Sequence, residues 1–151
     1  MAISQQKLRE IVFQLLFSHS FTSLEDEIDG FMMKELYVTK KVVKEAQEKC
    51  NNILSKLDEI DALIARFSDS YEFKRIAEVE KSVLRLAIYE LCYVSSLPGV
   101  VTISEAIRLT RKFATAESAG FVNAVLDAIH QDRLHLIASA EPHESLAAVS
   151  D

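Results

Sequence analysis

Between Ile76 and Val94 the apolar residues Val79, Val83, Leu84, Leu86, Ala87, Ile88, Leu91 and Cys92 cover most of the circumference of a helix. A helix that is greasy all round must be enclosed by other elements, so this segment belongs at the centre of a bundle. The chain around it supports that reading. Its 151 residues contain three Gly and two Pro, too few for the tight turns of a sheet protein. Strand-like alternation never exceeds four residues, and the composition, 49% hydrophobic and 26% charged, is that of a folded domain. At roughly 100–200 residues per domain, the length fits one unit.

The neighbouring segments carry narrower apolar stripes. From Ser4 to Phe21, Leu8, Ile11, Val12, Leu15 and Leu16 recur at three-and-four spacing, and Phe13 and Phe17 add a second row, so this helix should be held between neighbours. A short helix is expected at about 25–36. Thr39 then caps a long helix from Lys40 to Phe67, bent near Asn51 and Asn52. Residues 68–73 break the periodicity, and residues 95–99 (SSLPG) form a turn. Helix resumes from about Ile103 to Ala114. Thr115 caps a last helix carrying Phe121, Val122, Val125, Leu126 and Ile129 on one side. The pattern fades beyond Leu136. The reading is therefore an all-α fold with one helical domain over 1–136, half-bundles at about 1–68 and 74–136, and a flexible tail at 137–151.

Several functions lack their residues. Cys50 and Cys92 lie inside helical patterns without metal-site spacing, and read as reduced core thiols of a cytoplasmic protein. No apolar run approaches the span of about 18–20 residues that a bilayer needs. His130 and His135 fall on different helix faces, and His19 and His143 have no partner at ligand spacing, so no metal is implied. Gly30, Gly99 and Gly120 are isolated, which excludes a phosphate loop. Glu78 and Glu80, or Glu25 to Glu27, read as solvated faces or first-turn charges. Without a nucleophile beside a base, catalytic residues are not expected, nor is a cofactor. The chain is not read as an enzyme.

Net charge is −6 and the pI about 5.3, whereas most nucleic-acid-binding domains are basic overall. Any such contact must use a local patch. Lys7 and Arg9 provide one on the first helix. Arg108, Arg111 and Lys112 provide another, since no acid occurs between Ala106 and Ala116. Two readings stand for the second patch: phosphate neutralisation, or cations complementing the C-terminal end of a helix dipole.

The stretch from Glu78 to Ile129, EVEKSVLRLAIYELCYVSSLPGVVTISEAIRLTRKFATAESAGFVNAVLDAI, resembles the C-terminal half of the transcription antitermination factor NusB family. Three blocks carry the likeness in order: Val79, Glu80, Lys81, Val83, Leu84, Arg85, Ala87, Tyr89, Glu90 and Leu91; then Pro98, Ile103, Glu105, Ala106, Ile107, Leu109, Lys112 and Phe113; then Phe121, Val122, Asn123, Val125, Leu126 and Asp127. The first helix resembles the family's opening through Arg9, Glu10, Gln14, Leu16, Phe17 and Ser18.

The resemblance implies two packed three-helix bundles and a partner, the small-subunit ribosomal protein NusE. The pair would bind boxA RNA in ribosomal transcripts and help RNA polymerase, reached indirectly, to pass terminators. Family members contact RNA with an arginine-rich start of the first helix, where this chain has Gln5, Gln6, Lys7, Leu8 and Arg9, so fewer phosphate contacts are expected. After Pro98, Gly99 and Val100 replace a typical tyrosine and lysine. Glu117, Ser118 and Phe121 match the family's RNA edge, with Phe121 either stacking on a base or packing in the core. Glu80, with Arg85 and Glu90, matches the NusE contact, although Glu90 equally suits an ion pair inside its own bundle. Two alternatives were weighed against this. One is a NusB-like domain of a ribosomal RNA cytosine methyltransferase, which a chain ending at Asp151 leaves without its cofactor-binding domain. The other is a structural homodimer, motivated by the aromatic rows of the first helix.

Overall fold

The computed structural model describes residues 4–20, 40–68, 72–94 and 96–150, with side chains as far as 135. Among these residues there are six α-helices and no strand: α1 (Gln5–His19), α2 (Lys40–Ser55), α3 (Leu57–Phe67), α4 (Glu78–Tyr93), α5 (Gly99–Phe113) and α6 (Ala116–Ser150). A single 3-10 turn, Phe73–Arg75, leads into α4. The helix expected at 25–36 and the cap expected at Thr39 lie outside the described residues.

The all-round apolar segment becomes α4, and it packs against each of the other five helices. Val83, Leu84 and Ile88 are fully buried there, and Leu86 and Ala87 nearly so. Ile11 and Val12 of α1, Ile53 of α2, Ile60 and Ile64 of α3, Leu109 of α5, and Leu126 and Ile129 of α6 close around them. Side chains of this size contribute roughly 1.5–3 kcal/mol each when fully buried. The second apolar row of α1 is accounted for by Phe13, whose ring lies 4.9 Å from that of Phe113 on α5 and 6.2 Å from that of Phe17.

Helix ends follow local chemistry. The Ser4 hydroxyl accepts the Lys7 N–H at 3.1 Å and starts α1. The Thr115 hydroxyl accepts the Ser118 N–H at 3.0 Å and starts α6, as the sequence predicts. Between α2 and α3 the break falls at Lys56 (φ −110°, ψ 14°), four residues beyond Asn52. The Ser55 hydroxyl donates to the Asn52 carbonyl at 2.6 Å, while the Lys56 N–H turns to Ile53 at 3.0 Å. A serine side chain has thus taken the acceptor that the next turn needed, which ends the helix.

Two further features bear on the site. A methyl group at position 99 would overlap the His130 ring, so α5 and α6 meet closely where Gly99 stands. The backbone of α6 is helical as far as Ser150, beyond the point at which the apolar pattern fades. Loss of periodicity removes a packing face but leaves the strong helix formers Ala138, Ala140, Glu141, Glu144, Leu146, Ala147 and Ala148, against which stands Pro142, which has no N–H to give to the preceding turn. No helix among the described residues is long and apolar enough to cross a membrane.

The Thr102 hydroxyl is buried and has no hydrogen-bond partner among the described residues. Replacing it by a methyl group of the same shape removes an unpaired polar atom, so Thr102→Val is expected to be neutral or stabilising by up to about 1 kcal/mol in urea melts. Destabilisation would show that the hydroxyl is satisfied in solution.

Candidate nucleic-acid interface

Helix α1 places three polar side chains in succession, Gln6, Arg9 and Glu10, against α4 and α5. The Arg9 side chain is 6% exposed. Its Nε donates to both carboxylate oxygens of Glu90 on α4, at 3.3 and 3.2 Å, and its Nη1 reaches Glu105 of α5 at 3.5 Å. Lys49 of α2 lies near the same pair. Burial pushes its ammonium pKa down, an effect partly offset by Glu90 and reinforced by Arg9. Arg9 and Glu90, read from the sequence as site residues, are thus joined to one another inside the fold, with side chains 6% and 2% exposed.

Glu105 is shared. Besides Arg9 it accepts from Arg108 Nε at 3.3 Å and from exposed Gln6 at 3.2 Å. Arg108 extends the chain of charges: Nη1 donates to Glu10 at 2.9 Å, and Nη2 donates to Glu105 at 3.3 Å and to the Gln6 carbonyl at 3.4 Å. Lys112, one turn further along, donates to both oxygens of Glu10 at 3.0 and 3.1 Å. Burial raises the Glu10 carboxyl pKa, but the hydrogen bonds from Lys112 and Arg108 outweigh it and hold the group below its ordinary 4.5. For Arg108, burial lowers the pKa and the bonds to Glu10 and Glu105 more than restore it. Helix-dipole complementarity is thus not the main role of these two cations. Among the described residues, Lys7, which is half-buried, and Arg111, which is exposed, have no ion pair.

The residues matched to the partner and to the RNA edge converge elsewhere. Glu80 of α4 and Glu117, Ser118 and Phe121 of α6 line a shallow groove of about 140 Å³ with Arg75 and Ile76. Glu80 is half-buried. Burial raises its pKa, the Ala77 backbone lowers it and the Glu117 charge raises it again, with a net rise. Phe121 is half-buried too, one edge in the core cluster and one in the groove. Arg85 is not part of the groove: it makes a two-pronged bond to Asp61 of α3 at 2.9 and 3.0 Å, which ties α4 to α3. Glu10 and Asp61 were not assigned roles from sequence. The available signal for Glu10 was an acid between Arg9 and Ile11 in a segment with two apolar faces, where a buried charge requires a partner.

The fold matches known proteins. The family model described as the NusB family matches residues 6–131, and the chain belongs to the NusB family. The transcription antitermination protein NusB of Chlamydia pneumoniae is 36% identical over 129 residues, covering 85% of this chain and 81% of that protein. The protein of the same description from Thermodesulfovibrio yellowstonii is 29% identical over 150 residues, covering 92% and 99%. Among solved structures, T. maritima NusB superposes with a TM-score of 0.73 at 32% identity, over 87% of this chain and 93% of that one. The fold is also shared with a crystal structure of antitermination factors NusB and NusE in complex with dsRNA, with a TM-score of 0.73 at 23% identity over 85% and 96%.

Two predictions follow from the buried charges. Removing one partner of an enclosed ion pair strands the other, so Arg9→Met is expected to cost about 3–5 kcal/mol in urea melts. Arg9→Met with Glu90→Met should recover most of that loss; a double variant whose loss equals the sum of the two single losses would mean the pair is not coupled. Glu10 makes the second. Its folded pKa lies below the unfolded value, so its stabilisation is full above about pH 4.5 and is lost as pH falls through the folded value. Thermal melts should show wild type above Glu10→Gln at pH 7, with the gap closing below pH 4.5. A gap independent of pH would contradict the assignment.

Proposed function

We propose that this chain is an RNA-binding antitermination adaptor that acts in the cytoplasm with NusE, binds boxA RNA in nascent ribosomal transcripts, and so helps RNA polymerase to pass terminators. The observation that carries the reading is membership of the NusB family over residues 6–131. A protein of the same fold stands beside NusE and dsRNA in a solved structure. Antitermination proteins matched over 81% and 99% of their own length favour this reading over a methyltransferase domain.

The RNA face comprises Lys7 and Arg111, cations with no ion pair among the described residues, Arg108 and Lys112 as cations held by Glu10, and Ser118, Glu117 and the accessible edge of Phe121 at the groove. Glu80 is the partner contact. It stands beside a second carboxylate, Glu117, in a partly desolvated groove, an arrangement suited to a basic side chain from a partner.

With net charge −6 and most of this face already paired, the chain alone should bind RNA weakly. Fluorescence anisotropy with labelled boxA RNA is expected to show NusE raising the affinity by about 5–150-fold, the usual range of such coupling. Equal affinities with and without NusE would refute it. Glu80→Lys should weaken the NusE complex in calorimetry while leaving the helical circular dichroism unchanged, and Arg111→Ala should weaken RNA binding for all sequences alike.

A further inference from the structure

Arg108 and Lys112 face outward, with side chains 30% and 54% exposed, while the acid that pairs with both, Glu10, is only 9% exposed. The anion is fixed beneath and the cations stand above it. Four of the five N–H donors of Arg108 are engaged: Nε on Glu105, one of Nη1 on Glu10, and both of Nη2 on Glu105 and the Gln6 carbonyl. A guanidinium so engaged cannot grip a phosphate with two parallel donors without releasing an acceptor of the protein. Lys112 is freer, because an ammonium has three donors on a flexible stem and only one acceptor residue here.

We propose that Glu10 is an internal competitor of RNA phosphate for Arg108 and Lys112, and is thereby the residue that limits indiscriminate RNA binding. The inference rests on the RNA-binding function proposed above. An incoming phosphate exchanges with a carboxylate already in place, so the net electrostatic gain is smaller than two surface cations would give in isolation. Any RNA offers phosphates. Only an RNA that also makes contacts outside this patch compensates for the displaced carboxylate, so the competitor penalises non-cognate strands more than cognate ones.

The test compares wild type, Glu10→Gln, Arg108→Ala with Lys112→Ala, and the triple variant. Each is titrated with boxA RNA and with a scrambled RNA of equal length at several salt concentrations, and helix content is followed by circular dichroism. Glu10→Gln should bind the scrambled RNA several-fold more tightly, with a salt slope steeper by about 0.7 per cation released. Its preference for boxA should shrink, and the gain should vanish when Arg108 and Lys112 are also replaced. Unchanged or weaker RNA binding by a helical Glu10→Gln protein would overturn the proposal, since Glu10 would then position the cations. Should that variant lose helix content, Glu10→Asp, whose carboxylate is one methylene shorter, carries the same expectation and the same refutation. If wild type and Glu10→Gln both fail to bind either RNA even with NusE present, the RNA-binding function itself falls.

Discussion

The enclosed pair of Arg9 and Glu90 fixes α1 against α4, and the rest of the charged face is built outward from it. A guanidinium in the interior is costly unless its donors are met, and a carboxylate is equally costly unless its lone pairs are met. Both conditions hold only in one register of α1 on α4, with Glu105 of α5 supplying the additional acceptor. The apolar residues around them, Ile11, Val12 and Leu86, are closely enclosed and set how near the helices lie. The ion pair adds a directional constraint, because its two Nε contacts lengthen with a shift along the helix axis. Such a pair is weak evidence for stability, and its clearer consequence is that three helices meet in one arrangement.

From that pair the charges alternate toward solvent: Glu105 lies between Arg9 and Arg108, and Glu10 between Arg108 and Lys112. The arrangement explains how a chain of net charge −6 gathers basic residues on one face without a strongly positive field. Most of the positive charge there is already answered by the protein. Arg111 and Lys7 have no part in this line among the described residues.

The helices were legible because their cause is local. The all-round apolar pattern of 76–94 gives the central α4, and Thr115 followed by Ser118 gives the start of α6, since periodicity and capping act within a few residues. The break at Lys56 was misplaced because it depends on which of several nearby polar side chains captures a backbone carbonyl, and Ser55 does so where Asn51 and Asn52 carry the more familiar signal. The candidate site was legible only in part. Arg9, Arg85 and Glu90 carry the family pattern, but their partners lie far away in sequence, Arg9 with Glu90 and Arg85 with Asp61. Nothing in spacing distinguishes a charge awaiting a ligand from one already met by its own fold. Glu80, Glu117, Ser118 and Phe121 were identified separately from the family pattern, and the structure gathers them in one groove.

The close approach of α5 and α6 at Gly99 links two positions that no charge connects. A methyl group at 99 would fall in the space of the imidazole at 130, so enlarging 99 requires that ring to turn aside or give way to a smaller side chain. Across variants, bulk at 99 should therefore come with a turned or smaller residue at 130, a constraint of shape that runs in one direction only.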